Sequence, residues 1–179
     1  RNHTTKDVLE AYKLALKYDF SVNMDFIAGL PGEKFPTFKK TIDTAIELSP
    51  DNITVHTLSL KHGSLLFNNP PDTDANVAKM VNYAYTKLTA DGYKPYYLYR
   101  QKNQIEGLEN IGYAKKGKVC VFNVDSMEET NSIIACGAGA ISKRVFYIDN
   151  RIERLANPKF LTDYNQRIDE IIEKKFNFF

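Results

Sequence analysis

The chain has 179 residues, of which 43% are hydrophobic and 26% charged, and its net charge is +2. These values are ordinary for a globular protein and give no overall field that would attract nucleic acid or an anionic membrane. No apolar run reaches the roughly 18 residues of a membrane span, and we expect no signal peptide before Arg1. The two cysteines, Cys120 and Cys136, form no Cys-x-x-Cys pattern, so we expect reduced thiols and a cytoplasmic protein.

The first half of the chain alternates helix and strand. Apolar spacing predicts helices over 5–18, 36–49 and 73–90, with strands over 21–27, 53–60 and 94–99. This order predicts parallel strands joined by crossover helices. Three strands are too few to close a barrel, which needs about eight. The pattern therefore predicts an α/β fold, either an open sheet or a piece of a larger barrel.

The second half has a different pattern. Residues 100–118 are polar, 119–124 and 145–148 are predicted strands, and the small residues of 131–140 permit close backbone approach. A turn is predicted at 149–150, and a helix follows from Leu161.

The first predicted strand carries a carboxylate near its C-terminal end. Alternation places Val22, Met24 and Phe26 on one face and Asn23 with Asp25 on the other. The apolar face should pack under the helices, so Asp25 should point to the opposite face. A charge there must be solvated or paired, which leaves a ligand contact and a structural hydrogen bond as alternatives.

The Gly-Leu-Pro-Gly stretch at 29–32 predicts a turn with positive φ and close backbone approach. It is not a phosphate loop, because no Gly-Lys-Ser/Thr follows. Ser59, at the exit of the second predicted strand, could offer its hydroxyl or backbone to a ligand. His56 is interpreted as a hydrogen-bonded core histidine, and the histidines lack the spacing of metal ligands.

An aromatic run precedes two cations: Tyr96, Tyr97 and Tyr99 stand before Arg100 and Lys102. Aromatic surface beside cationic donors suits a flat ligand that bears carboxylates. It also suits single-stranded RNA, although the near-neutral net charge argues against that class. A strand that ends in a solvated polar loop is the third alternative.

Four stretches carry a resemblance: 23–33 (Asn-Met-Asp-Phe-Ile-Ala-Gly-Leu-Pro-Gly-Glu), 48–53, 96–103 with 108–113, and 137–142. On these residues the chain resembles the oxygen-independent coproporphyrinogen III oxidase family of radical S-adenosylmethionine (SAM) enzymes, and within it the coproporphyrinogen dehydrogenase-like branch. The resemblance implies the C-terminal part of a partial TIM-type barrel over 1–100 and a smaller α+β region over 101–179.

The resemblance also implies a chemistry. In the family a 4Fe-4S cluster, held by a Cys-x3-Cys-x2-Cys motif and supplied by an electron donor, cleaves SAM. The resulting radical takes hydrogen from the propionates of coproporphyrinogen III, and loss of carbon dioxide leaves the vinyl groups of protoporphyrinogen IX. By this resemblance Asp25, Ser59 and Ile141 contact SAM. Arg100 and Lys102 are proposed as propionate partners on chemical grounds alone.

The chain departs from the family pattern at the cluster. It contains no Cys-x3-Cys-x2-Cys motif and no glycine-rich SAM motif after it, and Cys120 and Cys136 are too far apart to replace the missing cysteines. We therefore expect a C-terminal part that by itself binds no cluster and performs no turnover. A haem-binding or haem-trafficking relative without oxidase activity is the alternative within the family. Neither interpretation requires nucleic acid or a membrane as partner.

Overall fold

The computed structural model describes residues 3–60, 65–68, 76–100 and 105–179. The chain forms two compact units, Arg1–Cys120 and Val121–Phe179. Sequence analysis places a boundary near residue 100, whereas the first unit continues for a further 20 residues because they contribute a strand to its sheet. None of the described helices is long and apolar enough to cross a membrane.

The first unit alternates helices and strands as expected. Its elements are α1 (Thr5–Leu16), β1 (Asn23–Ala28), α2 (Phe35–Leu48), β2 (Asn52–Thr57), α3 (Leu65–Asn68), α4 (Val77–Ala90), β3 (Lys94–Tyr99), a 3₁₀ turn (Ile105–Gly107) and β4 (Asn110–Ala114). Thr4 caps α1 through a reciprocal pair of hydrogen bonds with Asp7. Pro36 lies in the first turn of α2, as predicted, where the missing N–H costs nothing.

The sheet is mixed, with the strand order β1-β2-β4-β3. β1 and β2 pair in parallel, and β4 pairs antiparallel with both β2 and β3. The three predicted strands therefore share a direction, and the crossover prediction is confirmed for them. Sequence analysis missed β4, which separates β3 from β2.

One face of this sheet packs against α2 and α4. The buried cluster combines Ile53 and Val55 of β2 and Tyr113 of β4 with apolar residues of the two helices. Phe26 of β1 packs against the edge of this cluster. The alternation predicted for β1 is confirmed, because Met24 and Phe26 are less exposed than Asn23 and Asp25. In β2, Ile53 and Val55 belong to the buried cluster on the helix side.

The second unit is small. Its elements are α5 (Val121–Met127), β5 (Ile141–Phe146), β6 (Arg151–Ala156), α6 (Leu161–Gln166) and α7 (Ile168–Phe178). β5 and β6 form an antiparallel hairpin around the predicted turn at 149–150. Lys175 of α7 donates to the Ala135 carbonyl and to Ser142 Oγ at 2.9 and 2.7 Å, which ties the helix to the hairpin.

One prediction for this unit is wrong, and the predicted C-terminal helix is confirmed with a break. The segment predicted as a strand over 119–124 enters α5, because it lies beside no strand that could complete its backbone hydrogen bonds and instead bonds within itself. The C-terminal helix is divided in two at Arg167, where the backbone is not helical.

Candidate functional site

The face of the sheet opposite the helices carries polar side chains from three strands. In register, Asp25 of β1 lies beside Thr54 of β2, Thr54 beside Gly112 of β4, and Gly112 beside Tyr97 of β3. Since side chains alternate along a strand, the same face receives the residues two positions away. We call the following set the polar face: Asn23, Asp25, Thr54, His56, Tyr97 and Tyr99.

Asp25 lies at the edge of the polar face, with its side chain 61% exposed. Asn23 Nδ2 donates to Asp25 Oδ1 at 2.8 Å, and His56 Nε2 lies 3.5 Å from the same oxygen. The neighbouring His56 imidazole is the main cause that lowers the pKa of Asp25; Asn23 and Thr54 act in the same direction against partial burial. The structure therefore holds this carboxyl group ionised at neutral pH.

The chain leaves β1 through the predicted turn. Gly29 and Gly32 have φ of 87° and 73°, values that glycine adopts without the steric cost of a Cβ. Glu33 N–H donates to the Leu30 carbonyl at 3.0 Å and closes the turn. Ile27, two residues after Asp25, is 41% exposed, so apolar surface lies beside the carboxylate.

Tyr97 crosses the sheet above Gly112. A Cβ at residue 112 would lie 1.9 Å from Cε1 of the Tyr97 ring, so the ring occupies the space that any other residue would fill. The Tyr97 hydroxyl lies 3.4 Å from Thr54 Oγ1, and Thr54 Oγ1 donates to Asn23 Oδ1 at 3.2 Å. Burial raises the pKa of Tyr97, which keeps its hydroxyl protonated.

Tyr99 lies beside His56. Its hydroxyl is 3.3 Å from His56 Nδ1, and the two rings meet edge to face with centroids 6.3 Å apart. The rings of Tyr97 and Tyr99 stack, with an angle of 6° between their planes and centroids 6.2 Å apart. The predicted aromatic surface is therefore present at these two positions.

The other predicted site residues are placed in different ways. Ser59 is half-buried just beyond the end of β2. Arg100 pairs with Glu109 at 3.1 Å, and both side chains are largely exposed. Ile141 begins β5 in the second unit and is 54% exposed. Lys102 lies outside the described residues.

Sequence reasoning missed the part that His56 plays. Alternation along β2 puts His56 opposite Ile53 and Val55, and alternation along β1 puts Asp25 opposite Met24 and Phe26. Combining the two with a parallel pairing brings both to one face, so the signal was present. The roles of Thr54 and Gly112 had no such signal, because they depend on where β4 inserts.

No group of three or more His, Cys, Asp or Glu side chains among the described residues could hold a metal ion. Cys120 is half-buried and ends the first unit, whereas Cys136 is exposed in the second. An iron–sulfur cluster of the expected kind needs three cysteine thiolates, and the chain has two. Its own residues do not fit that group.

Comparison with solved structures shows the fold. No protein-family model matches the chain. The structure is similar to coproporphyrinogen III oxidase (HemN) from Escherichia coli, described as a radical SAM enzyme, with a TM-score of 0.63 and 18% identity. The match covers 95% of this chain and 39% of that one. This chain thus shares the fold of part of that protein, and the predicted α/β class is confirmed.

The family follows from sequence relatives. The oxygen-independent coproporphyrinogen-III oxidase-like protein HemZ of Bacillus subtilis is 37% identical over 99% of this chain. The heme chaperones HemW of Escherichia coli and Haemophilus influenzae are 28% and 27% identical over its whole length. The chain belongs to the oxygen-independent coproporphyrinogen III oxidase-like family. It spans 36% of the first relative and 46% of the other two.

Proposed function

We propose that the chain forms the C-terminal part of a radical SAM coproporphyrinogen III dehydrogenase and supplies one half of its ligand site. The observation that carries this proposal is Asp25: an ionised, exposed carboxylate on the helix-free face of the sheet, near the C-terminal end of a strand and just before a tight glycine turn. In α/β folds ligands meet the sheet at such strand ends.

SAM fits the residues at this point. Its ribose hydroxyls and ammonium group donate hydrogen bonds, and a carboxylate is the acceptor that such groups pair with most strongly. Exposed Ile27 beside Asp25 offers apolar contact. When bound in the whole protein, SAM supplies the radical that starts the reaction. The cluster must be held by residues outside this chain, since its two cysteines cannot provide the ligands.

A tetrapyrrole is the proposed substrate class. The stacked rings of Tyr97 and Tyr99 offer flat aromatic surface, and Arg100 is a cation at the end of the same strand. Arg100 is paired with Glu109 at 3.1 Å on the surface, where such a pair contributes little. A propionate could therefore replace Glu109 as its partner. We extend this role to Lys102, and SAM contact to Ser59 and Ile141, as predictions from the family pattern.

The test uses the longer protein that contains this chain, reconstituted with iron and sulfide without oxygen. We expect conversion of coproporphyrinogen III to protoporphyrinogen IX in the presence of SAM. Asp25→Asn should weaken SAM binding about tenfold or more, since a hydrogen bond to a charged group contributes about 1.5–3 kcal/mol. Asp43→Asn is the matched control, because Asp43 is hydrogen-bonded to Lys39 and Tyr83 on the helices.

A reconstituted protein with neither a cluster nor product would contradict the proposal. So would equal SAM affinity for the wild type and Asp25→Asn, because the carboxylate would then not meet the cofactor.

A haem-trafficking function is the second candidate. Two relatives that match the whole chain are heme chaperones, and the aromatic surface would suit haem as well as coproporphyrinogen. Haem titration separates the candidates: tight stoichiometric binding without turnover of coproporphyrinogen would favour trafficking. In either case we infer a cytoplasmic protein, in which Cys120 and Cys136 stay reduced.

A further inference from the structure

Two rows of hydrogen-bonding groups cross the polar face, and both end on the same oxygen. The first joins Tyr97, Thr54 and Asn23 to Asp25 Oδ1. In the second, the Tyr99 hydroxyl lies 3.3 Å from His56 Nδ1, and His56 Nε2 lies 3.5 Å from Asp25 Oδ1. Each row begins at a tyrosine of β3, which is separated from β1 and Asp25 by two strands, β2 and β4.

The direction of the first row follows from the hydrogens available. Thr54 has one hydroxyl hydrogen, which it donates to Asn23 Oδ1. The Tyr97 hydroxyl must then donate to Thr54 Oγ1 rather than accept from it. Asn23 in turn donates through Nδ2 to Asp25. Every hydrogen in this row points toward the carboxylate.

The direction of the second row depends on the tautomer of His56. An ionised carboxylate only accepts, so the imidazole nitrogen nearest to it, Nε2, must carry the hydrogen. A neutral imidazole has one N–H, which leaves Nδ1 with a lone pair. Tyr99 then donates its hydroxyl hydrogen to Nδ1 across 3.3 Å.

We propose that Tyr99 is a positioning residue that acts together with Asp25: its hydroxyl donates to Nδ1 of His56 and so helps to hold the imidazole in the Nε2–H tautomer, with the hydrogen directed at the Asp25 carboxylate. Both rows reach Oδ1. The ligand group that meets Asp25 is one that donates N–H or O–H, as do SAM and the pyrroles of a tetrapyrrole. The ligand part of this inference rests on the proposed function, whereas the tautomer does not.

The tautomer is measured directly on the 179-residue chain. Histidine labelled with ¹⁵N shows which ring nitrogen carries hydrogen, and a His56→Gln sample identifies the signals of residue 56 among the three histidines. At a pH where His56 is neutral, we expect hydrogen on Nε2. In Tyr99→Phe the two ring nitrogens should shift toward the values of a tautomer mixture.

Tyr97→Phe is the matched control. It removes a neighbouring hydroxyl from the same stacked pair, but that hydroxyl contacts Thr54 and not His56. The control should leave the His56 signals unchanged. In a second readout, carboxyl ¹³C titration, Tyr99→Phe should move the pKa of Asp25 up toward its ordinary value, because a mixed tautomer donates to the carboxylate for only part of the time.

Hydrogen on Nδ1 in the wild type would overturn the proposal, as would His56 signals that do not respond to Tyr99→Phe. Titration of SAM and of coproporphyrin III into the reconstituted longer protein tests whether the ligand group at Asp25 donates a hydrogen bond. Weaker binding of one probe in Tyr99→Phe identifies that probe as the donor. If the wild type binds neither probe, the proposed function fails, while the tautomer result stands by itself.

Discussion

Replacement of Gly112 by alanine tests whether the missing side chain is what allows Tyr97 to reach across the sheet. The new Cβ would lie 1.9 Å from Cε1, 2.4 Å from Cδ1 and 2.8 Å from Cζ of the Tyr97 ring. Real carbon atoms do not approach so closely, so the ring must leave its place above β4. We expect the contact between the Tyr97 hydroxyl and Thr54 to be lost with it.

Two terms of opposite sign decide the change in stability. Alanine in a strand interior is favoured over glycine by about 0.5–1 kcal/mol, because glycine loses more conformational freedom on folding. Overpacking a well-packed position costs about 1–3 kcal/mol. The cost exceeds the gain, and we expect Gly112→Ala to lower the free energy of unfolding by about 1 kcal/mol. For a chain of this size that is a fall of about 2–4 °C in Tm.

The assay is urea unfolding followed by circular dichroism, carried out as a double-mutant cycle. With Tyr97→Ala already present, the space above residue 112 is open, and Gly112→Ala should stabilise the protein by about 0.5–1 kcal/mol. The change of sign between the two backgrounds isolates the contact between the two residues. Equal effects of Gly112→Ala in both backgrounds would refute the placement of the ring.

Other perturbations test the buried polar groups of the first unit. The Tyr113 hydroxyl is buried and has no hydrogen-bond partner among the described residues, so Tyr113→Phe should raise the free energy of unfolding by about 1 kcal/mol. A lower free energy of unfolding in urea would show that the hydroxyl is satisfied. Burial raises the pKa of Tyr93, which donates to the Pro50 carbonyl, to about 12. The contribution of Tyr93 to the free energy of unfolding is therefore fully present below pH 10, its pKa in the unfolded chain, and declines as the pH rises toward 12. Thermal unfolding across this range should show a shallower decline in Tyr93→Phe. Glu106 accepts from the first two N–H groups of α4 at 3.0 and 2.9 Å, so Glu106→Gln should cost about 0.5–1 kcal/mol, and an unchanged urea midpoint would contradict this capping role. Burial raises the pKa of Glu33. Its contribution to the free energy of unfolding is therefore present below the pKa of the unfolded chain and is lost as the pH rises through the raised pKa. Glu33→Gln should remove that pH dependence and stabilise the protein at neutral pH, as measured by thermal unfolding at pH 4 and 7.

Local patterns predicted much of the first unit. Apolar periodicity located α1, α2, α4 and the strands β1, β2 and β3. For α2, α4, β1 and β2 the periodicity reflects a face buried in a single core. The glycine turn after β1 could also be predicted, because its φ angles are a local property of two glycines. Asp25 followed from alternation along one strand, with no knowledge of its neighbours.

The missed elements depend on pairing over long stretches of sequence. β4 has a glycine at its centre, which weakens a strand pattern. It forms because β2 and β3 complete its backbone hydrogen bonds on both sides. The segment at 119–124 has the composition of a strand but no such neighbours, and it enters a helix. Strand identity in these two places is decided by the sheet rather than by the segment.

The same dependence explains why the polar face could not be assembled from the sequence. Asp25 and Tyr97 are joined only because β4 inserts between β2 and β3 with Gly112 in register with Thr54. A shift of one residue would turn Tyr113, now buried against the helices, toward the polar face. Burial of Tyr113 in the core therefore fixes the register of β4. This register places Gly112, which has no side chain, under the Tyr97 ring. The geometry around Asp25 thus depends on packing on the opposite face of the sheet. Substitutions at residue 113 should therefore change that geometry, although the two residues lie on opposite faces.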